Sequence, residues 1–170
     1  MKSRDIKPLL IQYLILVKKC LVAKTEFYNH ADVFGVTKQH YGIEIEIKTA
    51  ITDFRNELKT IRYILNPESD MGYGHYRSID GTEHYYQKFD KHRSYLWDEA
   101  DHSPRPRYFY FAVPEEMMMI AHRNLVGSPY GLLIIYERNG QGMIDEVIRP
   151  KALTKNTVHP EILTKMGIDI

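Results

Sequence analysis

The 170-residue sequence has one cysteine, Cys20. One thiol closes no internal disulfide and builds no cysteine-rich zinc cluster, so a reducing cytoplasm is the expected setting. An excess of one charge is also missing. Twenty-three Lys and Arg stand against 22 Asp and Glu, a formal net charge of +1. A protein so balanced is not drawn to nucleic acid as a whole, and any such binding must come from a local basic surface. Long apolar runs are absent as well. Met1 to Asp5 superficially suits a signal n-region, and Leu9 to Val17 resembles an h-region. Asp5, Lys7 and Gln12 interrupt it, it is too short to span a bilayer, and no small-residue cleavage site follows. It reads as a helix of the mature protein, with no membrane role. Nor is there a nucleophile elbow, a Walker loop or a dinucleotide fingerprint; Gly72-Tyr73-Gly74 is too short and wrongly placed to bind phosphate. Eight histidines, among them His75, His84, His92 and His102, match no zinc spacing and are expected on the surface.

What is present centres on Tyr41 to Lys48, YGIEIEIK. Strict alternation puts Ile43, Ile45 and Ile47 on one strand face and Glu44, Glu46 and Lys48 on the other. The first face is core; the second is chemistry or solvent. Upstream, His30 to Val36 reads as another short strand, joined through a polar turn, Thr37 to Gly42. Antiparallel pairing about that turn sets Asp32 opposite Glu46 or Lys48, so that two carboxylates and an ammonium converge. Such a patch suits a hard divalent cation, which takes one or two carboxylates and completes its shell with water and phosphate oxygens. The carbonyl of Ile47 could add a further oxygen. A neighbouring lysine can orient the attacking water and offset charge developing on a phosphate. The combination is one that hydrolyses phosphodiesters.

Asp32, followed after a hairpin by Glu46-Ile47-Lys48, resembles the PD-(D/E)XK nuclease superfamily, whose motif is an acid, a variable gap, then acid, any residue, lysine. The ordered series Ala31-Asp32-Val33, Ile45 to Lys48, Thr52-Asp53-Phe54, Lys88 to Arg93, Phe109 to Pro114 and Tyr130 to Leu133 is similar to the MmcB-like branch, associated with DNA repair and phage genomes. The likeness covers roughly residues 20 to 150. Alanine stands at 31 where the superfamily name has proline, and residues 63 to 87 form an insertion the branch pattern does not place. The resemblance implies a restriction-endonuclease-like fold and a DNA phosphodiesterase using magnesium or manganese. Asp32 and Glu46 would hold the ion and Lys48 would assist the attack. Glu44 and Glu26 are possible additional ligands, although an exposed strand-end glutamate is the simpler reading of Glu26.

Elsewhere the periodicity predicts a helix over about Asp5 to Lys19, a strand over Leu21 to Phe27, and a helix from Ile51 to Leu65. That second helix carries Asp53, Arg55, Asn56, Lys59 and Arg62 on its polar side. The face either follows a DNA backbone or is simply solvated. Its start, directly after the motif strand, would favour a nearby phosphate through the helix dipole. Residues 66 to 87 hold four tyrosines without a sustained apolar face and read as a long loop or small hairpin. Tyr73, Tyr76, Arg77, Tyr85 and Tyr86 could stack on bases, or pack the insertion onto its own domain or a second subunit. Gln87 to Trp97 reads as helical, with Lys88, Lys91, His92 and Arg93 its basic cluster; a comparable segment in the branch it resembles implies nucleic-acid phosphate contact, and a solvated helix face is the competing reading.

Arg107 to Val113 is apolar on both faces, as a central strand is. A helix from Pro114 to about Asn124 takes Met117 to Ile120 as packing, and Gly131 to Tyr136 follows as a parallel neighbour. Met143 to Arg149 closes as an antiparallel edge, and 151 to 170 is a short helix or loose tail. The expectation is one α/β domain over 1 to 150, a mixed β-sheet flanked by helices on both faces. Two rival readings stay open. One is a catalytically inactive DNA-binding or accessory protein of the same fold, the other an interaction module using 66 to 87. Cutting both strands of a duplex would favour a homodimer.

Overall fold

The structure is a computed structural model that describes residues 3–27, 31–65, 76–77, 83–84, 91–92, 95–96 and 105–169. In chain order its elements are α1 (Ser3–Leu16), β1 (Cys20–Phe27), β2 (Ala31–Thr37), β3 (Gly42–Ile47), α2 (Ile51–Leu65), β4 (Tyr76–Arg77), β5 (Glu83–His84) and β6 (Tyr108–Pro114). A 3₁₀ turn, Glu115–Met117, leads to α3 (Met118–Leu125), β7 (Gly131–Arg138), β8 (Gln141–Ile148) and α4 (Pro160–Met166). The chain divides into two compact units, Met1–Ile51 with Pro104–Ile170, and Thr52–Ser103.

The first unit is built on a six-stranded sheet in the order β1-β2-β3-β6-β7-β8. β1, β2 and β3 run antiparallel in sequence, β3, β6 and β7 are parallel, and β8 returns antiparallel as an edge. This is a mixed-sheet α/β fold, with the last strand where the turn Asn139-Gly140 places it. Helices cover both faces. Ile6, Leu10, Tyr13 and Leu14 of α1 pack on Val33, Ile43, Ile45, Ile47, Tyr110, Ala112, Leu133 and Ile135. On the opposite side Leu163 and Met166 of α4 pack on Ala31, Phe34 and Val36. Adjacent residues such as Val33 and Phe34 point to opposite faces of a strand, which is why the two helices do not compete. The segment before α4 is tied down by backbone bonds from Lys151 to Pro129, Leu153 to Arg107 and Val158 to His40. The first compact unit therefore takes in residues 151–170.

Several boundaries differ from the periodicity. α1 starts at Ser3, two residues before Asp5, so Pro8 lies inside the helix instead of in its first turn. It also stops sooner. The Val17 and Lys18 N–H groups both donate to Tyr13 O, and Lys19 takes φ 57°, a left-handed closure that ends the helix ahead of β1. The helix expected after Pro114 is divided into the 3₁₀ turn and α3. Of its three methionines only Met117 is buried, while Met119 is 75% exposed. A polar node sits on the α1 face. Glu146 Oε1 accepts from Tyr110 Oη at 2.7 Å and from Lys18 Nζ at 2.8 Å, and the Lys18 ammonium lies over the Tyr13 and Tyr110 rings.

In the second unit α2 buries Phe54, Leu58 and Ile61 and exposes Asp53, Arg55, Asn56, Lys59 and Arg62, the division its spacing predicts. β4 and β5 form a two-stranded antiparallel pair within the tyrosine-rich stretch. The other residues of 66–87 lie outside those described.

Gly131 and Tyr110 are partners across the parallel β6–β7 pair. A Cβ at 131 would press into the Tyr110 ring and the Ile148 carbonyl. Gly131→Ala is expected to cost about 1–3 kcal/mol of stability in urea denaturation. Burial also pushes the Cys20 thiol up to about 12 and raises the Tyr13 and Tyr110 hydroxyls, Tyr110 further through its bond to Glu146. Each group holds its proton more tightly when folded than when unfolded. Its contribution is therefore complete below the unfolded pKa and is lost progressively as pH rises from there through the folded pKa. The denaturation midpoint is expected to be level to about pH 8.5 and to fall from about pH 9 upward.

Candidate functional site

The charged face of β3 is not open. Glu44, Glu46 and Lys48 are 0%, 9% and 2% exposed, so of the two readings of this face, chemistry or solvent, the solvated one does not hold: both faces of this strand are buried. Its place in the sheet explains why. β3 has β2 on one side and β6 on the other, and a central strand of a layered sheet has no wet face. Buried charges must be paired. Lys48 Nζ accordingly lies 3.0 Å from Glu46 Oε1, while the Lys48 N–H donates to Ala112 O of β6 at 2.9 Å. Glu44 is two residues back, with Phe34 and Phe109 as its ladder neighbours.

Asp32 arrives from β2. The β2–β3 register runs from Val36↔Gly42 to Val33↔Ile45, so counting one step further sets Asp32 opposite Glu46, as the hairpin arithmetic expects. There the ladder gives way to a side chain. Asp32 Oδ2 accepts the Ile47 N–H at 2.8 Å, supplying an acceptor for a backbone donor that the separating strands would otherwise leave without a partner. Asp32, Glu46 and Lys48 are thus brought to the carboxyl end of β3, where parallel β6 also ends. In open α/β sheets that end, next to a change of strand direction, is where ligands bind.

Sequence reasoning missed Lys7. Its Nζ reaches from α1 to within 3.4 Å of Asp32 Oδ1 and 2.9 Å of Glu26 Oε1. The bond that Lys7 donates to Glu26, and the charge of Asp32 behind it, hold the Lys7 proton more tightly than usual, and Lys7 in turn holds the Glu26 carboxyl below its ordinary range. Glu26, the possible extra ligand, is therefore engaged with a lysine. No local sequence signal marks Lys7, because its partners are far along the chain and meet it only once α1 is docked.

Among the described residues no three His, Cys, Asp or Glu side chains form a group able to hold a metal ion. The donor chemistry that is present, the Asp32 and Glu46 carboxylates on neighbouring strands, fits a hard cation that completes its shell with water and phosphate, and does not fit zinc. The proposed nucleic-acid contacts separate. Lys59 is exposed on α2 and Lys91 is partly buried. His92 is a correction: it is fully buried, Nε2 2.7 Å from Glu57 Oε1 and edge-on to Tyr95, so it does not face a solvent-borne strand. Lys88 and Arg93 lie outside the described residues. Among the described residues no helix is long and apolar enough to cross a membrane.

The amide oxygen of Asp32→Asn can still accept from Ile47, so this variant should lose less than about 1 kcal/mol of stability. Asp32→Ala leaves the N–H without its acceptor and should lose about 1–3 kcal/mol. Paired urea titrations check the difference.

No family model matches this sequence, and no curated protein matches it either. Among solved structures it is similar to a protein of unknown function from Silicibacter pomeroyi, at 15% identity over 92% of this chain and 75% of that one, with a TM-score of 0.47.

Proposed function

We propose that this chain is a metal-dependent nuclease that hydrolyses DNA phosphodiester bonds in the cytoplasm, in repair, recombination or phage DNA metabolism. The observation that carries the reading is the gathering of Asp32, Glu46 and Lys48 at the end of β3, with Asp32 fixed on the Ile47 N–H and Lys48 on Glu46. The order of these residues is that of the PD-(D/E)XK motif the sequence resembles. Asp32 and Glu46 are the residues that would hold magnesium or manganese. Such an ion supplies Lewis acidity toward the scissile phosphate and a more acidic attacking water. Lys48, almost removed from solvent, keeps its ammonium where low dielectric strengthens its effect on developing phosphate charge. Glu46 orients that ammonium. The exposed Arg55, Lys59 and Arg62, spaced four and three residues apart along α2, form a stripe suited to a phosphate backbone.

The test is cleavage of linear, single-stranded and branched DNA with magnesium or manganese. The native chain should cut at least one substrate, and Asp32→Asn and Lys48→Met should each lower the rate by about 10²-fold or more. Lys59→Glu should weaken binding and reduce its salt dependence without abolishing the chemistry. Manganese binding without cleavage of any substrate would favour the inactive accessory protein. No binding of either ion would sink both.

A further inference from the structure

β1 and β2 pair through Thr25↔Val33 and Phe27↔Ala31, so the residue between them on each strand, Glu26 and Asp32, occupy facing positions. Counted on to β3, the row continues to Glu46. Three carboxylates therefore stand at neighbouring positions across three strands. Like charges facing each other in a ladder repel. Lys48 answers the last of them and Lys7 the first two, with Nζ 2.9 Å from Glu26 Oε1 and 3.4 Å from Asp32 Oδ1. The two Asp32 oxygens have separate tasks, since Oδ2 is occupied by the Ile47 N–H and Oδ1 faces Lys7. A divalent cation coming to Asp32 meets an ammonium already at that oxygen. Glu26 offers the ammonium another place to go. Its side chain is 78% exposed, and it is already the nearer of the two partners.

We infer that Lys7 is a resident cation that competes with a divalent ion for Asp32, and that Glu26 receives the Lys7 ammonium when the ion binds. The inference rests on reading Asp32 and Glu46 as the cation-holding pair and adds what sets their affinity. Lys7 is a positioning residue here: it offsets part of the negative charge of the acidic row before the ion arrives and withdraws by a short side-chain rotation. Its stem is anchored on α1, so the ammonium stays close and continues to repel the ion in part.

The experiment is calorimetric titration of the full chain with manganese for the native protein, Lys7→Met, Lys7→Arg, Glu26→Gln and the Lys7→Met/Glu26→Gln double variant. Each fold is verified first by circular dichroism. Lys7→Met should tighten binding by about tenfold, through loss of a like charge near the ion. Lys7→Arg, which keeps the charge, should stay near native. Glu26→Gln should weaken binding severalfold in the native background and have little effect once Lys7 is methionine, because its only task is to receive that ammonium. This non-additivity separates an exchange of partners from a general field, under which the two effects would multiply independently. Additive effects, or a Lys7→Met variant that binds as the native chain does, would overturn the inference while leaving the cation site standing. No manganese binding by any variant would remove the inference together with the site it rests on.

Discussion

A strand carrying three ionisable groups on one face has been placed third in a six-stranded sheet, where neither face is wet. That constraint governs much of the surrounding structure. A charge taken out of water without a partner costs several kcal/mol, so the sheet must provide counter-charges within reach of β3. Lys48 does so from the strand's own end, and Lys7 does so for the neighbouring acid from a helix on the other side of the sequence gap. The isoleucines of the opposite face make the arrangement affordable. Ile43, Ile45 and Ile47 bind β3 into the α1 core so firmly that the strand cannot rotate its charges outward without exposing them.

Much of this was legible because strand pairing is arithmetic. The alternation from Ile43 to Lys48 and the length of the turn after Val36 fix which residues face one another, and Val33↔Ile45 is the result. The parallel pairing of β6 with β7 was likewise readable from an apolar run, a helix and a second apolar run. Burial of the charged face was not legible. An alternating strand ordinarily has a wet side, and only the tertiary arrangement places β3 centrally. Helix ends shifted for a related reason: Lys19 and Met117 end or interrupt helices through backbone conformations that propensity does not register. His92 reads as part of a basic cluster, yet its neighbours in space, Glu57 and Tyr95, make it an interior residue.

The α1 face carries a second electrostatic solution beside the first. Near β3 a lysine lies between carboxylates; at Glu146 one carboxylate lies between a lysine and a phenol. Both use α1 as the source of the cation, Lys7 near one end and Lys18 just beyond the other. Docking of this one helix therefore does more than cover isoleucines. It completes the charge balance of strands from three different parts of the chain, which gives its position a sharper energetic definition than apolar contact alone.

Among the described residues no strand pairs with the outer edge of β8, and this has its own consequence. Its outward residues alternate with partly buried ones, and Asp145 and Glu146 sit at its middle. A second copy adding itself antiparallel to this edge about a two-fold axis at that point would bring Asp145 against its own counterpart or against Glu146, and Glu146 is already committed to Lys18 and Tyr110. Acidic groups at the centre of an edge strand guard it against extension into a continuous intermolecular sheet. The same groups mean that a symmetric pair of these molecules would have to meet through some other surface.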